Sequence, residues 1–162
     1  MTKEEILNGI KKKFGNRIKN INDKSYKRVY IEIDPKDIID FVRHIFCEQA
    51  ARFNTASCID MRDKFEILYH FTIEEACLVL SIRVFLDKER PEIESLTPIM
   101  KGAEWIEREI HELFGVDFKN HPNIRKLLLP DDWPEHLHPL KRDYKEEDYQ
   151  KCMLKKEGRN ES

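Results

Sequence analysis

Five side chains in the C-terminal half are of types that bind metals or move protons: His111, Glu112, His121, His136 and His138. Imidazoles and a carboxylate are the donor set of a catalytic zinc ion, which needs three of them converging on one point. His111-Glu112 opens like an HExxH helix, but Gly115 stands four residues after His111, where the second ligand should be. His136 and His138 lie two apart in a proline-rich stretch, where nothing forces a shared metal. The acid pairs Glu107/Glu109 and Asp131/Asp132 sit in charge-rich surroundings, and adjacency alone does not make an acid–base dyad. The sequence has no glycine-rich phosphate loop, nucleophile elbow or dinucleotide fingerprint. Cys47, Cys58, Cys77 and Cys152 form no CxxC pair, so reduced thiols are expected rather than an iron–sulfur cluster or structural zinc. The expectation is a chain with no active site, cofactor or metal of its own. The alternative is a free-standing metal-dependent enzyme built on the five donors.

Composition points the same way. A chain of 162 residues suggests one domain with a peripheral arm. Its 29 basic and 31 acidic residues nearly cancel, so bulk charge nominates no nucleic-acid partner. No apolar run approaches the ~18 residues of a membrane span. The N-terminal MTKEEILNGIKKKF is amphipathic and lacks the apolar centre of a secretory signal. A cytoplasmic location, with no direct membrane insertion, is therefore expected.

The elements follow from periodicity and punctuation. Ile6, Leu7, Ile10 and Phe14 share one face of a first helix capped near Thr2 and ended by Gly15-Asn16. Arg17 to Ile21 predicts a short strand and Asn22 to Ser25 a turn. Val29, Ile31 and Ile33 alternate with polar residues in a half-buried strand over Lys27 to Asp34. Asp34-Pro35 opens a helix whose stripe is Ile38, Phe41, Val42, Ile45 and Phe46, ending near Ala51. Strands are predicted at Arg52 to Met61, Phe65 to Thr72 and Ala76 to Leu86, antiparallel neighbours with the last one central. Glu89 to Met100, with Pro91 and Pro98, reads as an edge strand or loop. The fold class expected is α+β, a mostly antiparallel sheet with helices packed on one face and an extended C-terminal arm.

Ala103 to Phe114 is an amphipathic helix with Ile106, Ile110, Leu113 and Phe114 on one face and Gly115 at its cap. Arg108 lies four residues from Glu104 and Glu112, and Glu107 four from His111. On a solvated face such pairs contribute ~0.2–0.5 kcal/mol each. The sharper reading orders Glu107, Arg108 and Glu109 inside an interface. Beyond the helix, Lys119 to Tyr144 carries Pro122, Pro130, Pro134 and Pro139 among Ile124, Leu127 to Leu129, Trp133, Leu137 and Leu140. A free tail of that composition exposes a large apolar patch, so something must cover it. The predicted division is residues 1–118 as the α+β domain, 119–150 as a docking arm and 151–162 as a charged, frayed tail.

These residues also carry a family likeness. Glu107-Arg108-Glu109-Ile110-His111-Glu112-Leu113-Phe114, followed by His121, Arg125 and Leu127-Leu128, resembles the signature of the thirty-kilodalton subunit of respiratory complex I, the NADH–quinone oxidoreductase. LLPDDWPEHLHPLKRDY resembles that family's closing motif and RFNTASCIDMRDKFEILYHF its sheet region. AEWIEREIHELFG looks closest to the branch found in membrane-bound, energy-converting nickel–iron hydrogenases. His136-Leu137 departs from the family by lengthening the run between Trp133 and Pro139-Leu140. The resemblance implies a non-catalytic structural subunit of a hydrogenase or NADH/quinone-type dehydrogenase. It implies docking on a large catalytic subunit, of nickel-site or quinone-site type, beside iron–sulfur subunits and peripheral to the membrane. The interface residues it implies are Glu107, Arg108, Glu109, His121, Pro122, Arg125, Leu127, Leu128, Trp133, Pro139, Leu140, Arg142, Asp143 and Tyr144.

Overall fold

Alternating side chains build the central sheet. In β2 (Arg28–Ile33), Val29, Ile31 and Ile33 are buried and the residues between them are not. β4 (Lys64–Ile73) and β5 (Leu78–Asp87) bury Phe65, Ile67, Tyr69 and Phe71 beside Leu80, Ile82 and Val84. This is the pattern of strands with one face on a core. With β1 (Ile18–Ser25) and β3 (Arg52–Asp60) as edges, the order is β1-β2-β5-β4-β3. Three of its four pairings are antiparallel, and β2–β5 is parallel. β5 is the central strand, as its apolar sequence predicts. The computed structural model describes residues 1–160, with side chains as far as residue 155.

α1 (Lys3–Phe14) starts in a reciprocal cap between Thr2 and Glu5 and stops at Gly15, whose φ of 42° suits a residue without Cβ. Asp34 accepts the Lys36 N–H and starts the turn Pro35–Asp37 that leads into α2 (Ile38–Arg43). Phe14 and Phe41 stack with ring centroids 4.2 Å apart, joining α1 to α2. Both helices, and α3 (Glu104–Phe114), share one apolar core with the sheet. On the opposite face His70 bridges Ser57 and Ser81 at 3.0 and 2.8 Å, and Arg83 pairs with Glu66. The molecule is α+β.

Three local expectations change. The turn expected at Asn22 to Ser25 is strand, because Asn22, Asp23 and Ser25 pair with Tyr30, Val29 and Arg28, moving the turn to Tyr26-Lys27. The helix expected to reach Ala51 is α-helical only to Arg43 and widens to a π-helix over His44–Glu48. The segment expected as an edge strand or loop does hold a short strand, β6 (Glu92–Glu94), which pairs in parallel with β7 (Asp117–Lys119), just after α3. α4 spans Glu146–Asn160, so the charged stretch expected to fray is helical as far as residue 160. Residues 161 and 162 of that stretch lie outside the described residues. Between β7 and α4, residues 120–145 run without helix or strand.

Candidate docking interface

α3 does not use its charges as its sequence suggests. None of the expected pairs one turn apart forms; three of the charged side chains are buried and bind loops of their own chain. Glu107 is fully buried. Its Oε1 accepts the Leu96 N–H at 2.7 Å, and its Oε2 accepts the hydroxyls of Ser95 and Thr97 at 2.5 and 3.0 Å. The carboxylate thereby caps the turn at 95–97, satisfying polar groups that burial would otherwise leave costly. His121 lies 3.8 Å away, donating from Nε2 to the Glu104 carbonyl and accepting the Asn123 N–H at Nδ1.

Burial outweighs those donors and raises the Glu107 pKa above the ordinary 4.5. A raised folded-state value means that this carboxyl's contribution to stability is fully present below its unfolded pKa. The contribution is lost as pH climbs through the raised one. Wild type is therefore expected to lose Tm as pH rises above ~4.5, and Glu107→Gln, which cannot ionise, to flatten that loss; parallel Tm–pH curves for the two proteins would refute it.

On the same helix, Arg108 and Glu112 act on the arm. Arg108 donates from Nε to the Arg125 carbonyl at 2.9 Å and from Nη2 to the Lys126 carbonyl at 2.6 Å. Glu112 accepts the N–H groups of Leu127 and Leu128 at 2.9 and 2.7 Å, with that of Leu129 at 3.5 Å. A cation on carbonyls and an anion on amides, four residues apart on one helix, thus hold four consecutive peptide units. Hydrogen bonds with a charged member contribute roughly 1.5–3 kcal/mol each. The grip of α3 is on main chain only, so it does not depend on the side chains of residues 125 to 128.

Further ties continue along the arm. His138 donates Nδ1–H to the Glu112 carbonyl at 2.9 Å, and the Leu140 N–H reaches the Leu113 carbonyl at 3.0 Å. Burial lowers the His138 pKa, favouring this neutral donor form. Its ring lies over Gly115, where a Cβ would sit 2.7 Å from ring atoms and φ is +77°. Glycine is required there twice, for the turn and for the close approach. Arg142 N–H ends the path on Asp60 of β3 at 2.9 Å. Lys126 Nζ donates to the carbonyls of Asp131 and Trp133, and the indole N–H to that of Leu137. Tyr149 of α4 stacks on Trp133 with centroids 4.4 Å apart.

The residues singled out in the sequence therefore divide. Glu107 and Arg108 lie inside the chain, correcting the expectation that they face a partner: each has polar groups of its own chain to satisfy. The His121 side chain is also covered by its own chain; Glu109, Leu127, Trp133, Pro139 and Tyr144 are half-buried, while Pro122, Arg125, Arg142 and Asp143 are exposed. Leu128 is 61% exposed, Leu140 53% and Ile124 43%. Trp105 on α3, which the sequence reading passed over, is 69% exposed; a tryptophan outside the apolar helical stripe was the signal. Glu112, whose spacing suggests a charge pair or a metal donor, instead holds the arm. The five candidate donors do not converge. His111 donates Nδ1–H to the Val116 carbonyl, and His136 stands 3.8 Å from Cys152 Sγ. Among the described residues no group of three or more metal-binding side chains forms, and no helix is long and apolar enough to cross a membrane.

Known proteins resemble this chain in sequence and in fold. Residues 31–150 match the family described as the 30 kDa subunit of respiratory-chain NADH dehydrogenase. A subunit of the F(420)H(2) dehydrogenase of Methanosarcina mazei is 35% identical over 120 residues, covering 72% of this chain and 74% of that one. Hydrogenase-4 component G of Escherichia coli is 28% identical over 145 residues, covering 86% of this chain but only 26% of its own. A chain in the structure of the membrane-bound sulfane sulfur reductase, an archaeal respiratory membrane complex, superposes with a TM-score of 0.76. That superposition covers 94% of this chain and 91% of the other, at 22% identity, so it speaks for the fold. With a family match over 31–150 that includes α3 and the arm it grips, the chain belongs to the respiratory-chain NADH dehydrogenase 30 kDa subunit family.

Proposed function

We propose that this chain is a non-catalytic docking subunit of a complex-I-like, membrane-associated oxidoreductase. It sits on the large catalytic subunit through an arm comprising residues 119–150, beside iron–sulfur subunits and on the cytoplasmic side of the membrane. The observation that carries this reading is that an ordered arm, fixed by its peptide groups, leaves Leu128, Leu140 and Ile124 largely uncovered. Ordering the arm in advance lowers the entropy lost on association, which suits a docking element more than a linker. The E. coli relative supports a large partner, since the matched region is joined there to a much longer stretch of the same polypeptide.

Affinity purification of the tagged chain from membranes of its own cells tests the reading. The large subunit and iron–sulfur subunits are expected in fixed ratio to it. Recovery of the chain alone, under salt that leaves homologous complexes intact, would overturn the proposal. Nickel in the purified complex would mark the hydrogenase form and its absence the dehydrogenase form.

A further inference from the structure

We propose that Arg125 anchors a carboxylate of the large catalytic subunit in the cleft between α3 and the arm. The inference rests on the docking function above and names the chemistry of one contact within it. The cleft holds about 410 Å³, and its walls include Arg125, Lys126, His111, His138 and Trp133. Its charges are unevenly matched. The Arg125 main chain is gripped through its carbonyl, while its exposed guanidinium meets no hydrogen-bond or ion-pair partner among the described residues. Lys126 Nζ is bound to two carbonyls and to no carboxylate. Of the two acids in the lining, Glu112 is engaged by the arm's N–H groups, and Glu135 has no partner among the described residues. Two cations without a carboxylate therefore share the cleft with one exposed acid.

A guanidinium fork fits a carboxylate through two parallel N–H···O bonds, and a partly enclosed cleft strengthens that pair relative to open water. Ile124 and Trp133 in the same lining suit the aliphatic stem of an acidic side chain. The occupant that matches both is an aspartate or glutamate projecting from the large subunit's surface.

The test uses the co-expressed complex. Arg125→Glu is expected to lower recovery of the large subunit about tenfold or more and to abolish the salt sensitivity of assembly. Arg125→Lys should fall between, keeping the charge without the fork. Because α3 holds the carbonyl of residue 125, which glutamate supplies equally, the Tm of the isolated Arg125→Glu chain should match wild type. A lowered Tm would assign Arg125 to folding and overturn the proposal. Normal assembly of Arg125→Glu alongside failure of Leu128→Ser would remove this contact while keeping the docking arm. Normal assembly of both would remove the docking reading itself. Rescue of Arg125→Glu by changing one acidic residue of the large subunit to lysine would identify the partner carboxylate.

Discussion

Leu128→Ser and Leu140→Ser are expected to break the complex while leaving the isolated chain as stable as before. Both side chains are more than half exposed in the free subunit, so folding gains little from them. Burying a leucine against a partner contributes roughly 1.5–3 kcal/mol, a factor of about 10 to 150 in affinity for each substitution. If the two act independently, the double variant loses on the order of 10²–10⁴. Leu127 and Trp133 are poorer targets, because each is already half covered by its own chain and a change there mixes folding with docking. Quantitative pull-down of the large subunit, set beside the thermal melt of the free chain, reads the two effects separately. An unchanged pull-down for the double variant would mean that the outward side of the arm meets no partner.

Glu112→Ala has the largest expected effect on the chain itself. It strips the two shorter acceptor contacts from the amides of Leu127 and Leu128. At roughly 1.5–3 kcal/mol per charge-assisted bond, about 3–6 kcal/mol of arm stability is lost. The loss is local. Amide exchange at residues 127 and 128 should accelerate by about 10²–10⁴, whereas the amides of β4 and β5 keep their protection. Glu112→Gln retains one carbonyl oxygen and should lie between. Exchange at the arm as slow as in wild type would show that Glu112 is not what holds it.

Much of this architecture was legible from periodicity. Val29, Ile31 and Ile33 could only be a strand with one buried face, and ACLVLSIRVFL had to be central because both sides of it are rich in apolar residues. The arm was legible too, since prolines exclude a long helix and the leucines exclude a free tail. The action of α3 was not. A local reading pairs Arg108 with Glu104 and Glu112 because those are its neighbours on the helix surface. Nothing in the spacing says that a segment beginning 17 residues later will return and offer carbonyls and amides instead. Glu107 was hidden for a related reason: a carboxylate in a charged helix reads as solvated until the turn at 95–97 closes over it. β6 and β7, three residues each, are too short to leave any period. The extension of β1 through Ser25 depended on its partner strand, which overrode the turn-forming residues.

Holding a segment by its backbone has an evolutionary corollary. The trajectory of residues 125 to 128 is specified by α3, while the exposed positions 125 and 128 are left open to drift, apart from proline at 128, which has no N–H to give Glu112; Lys126 and Leu127 also serve their own chain. A lineage could thus rewrite the outward lettering of this segment to suit a different neighbour without redesigning the scaffold that displays it.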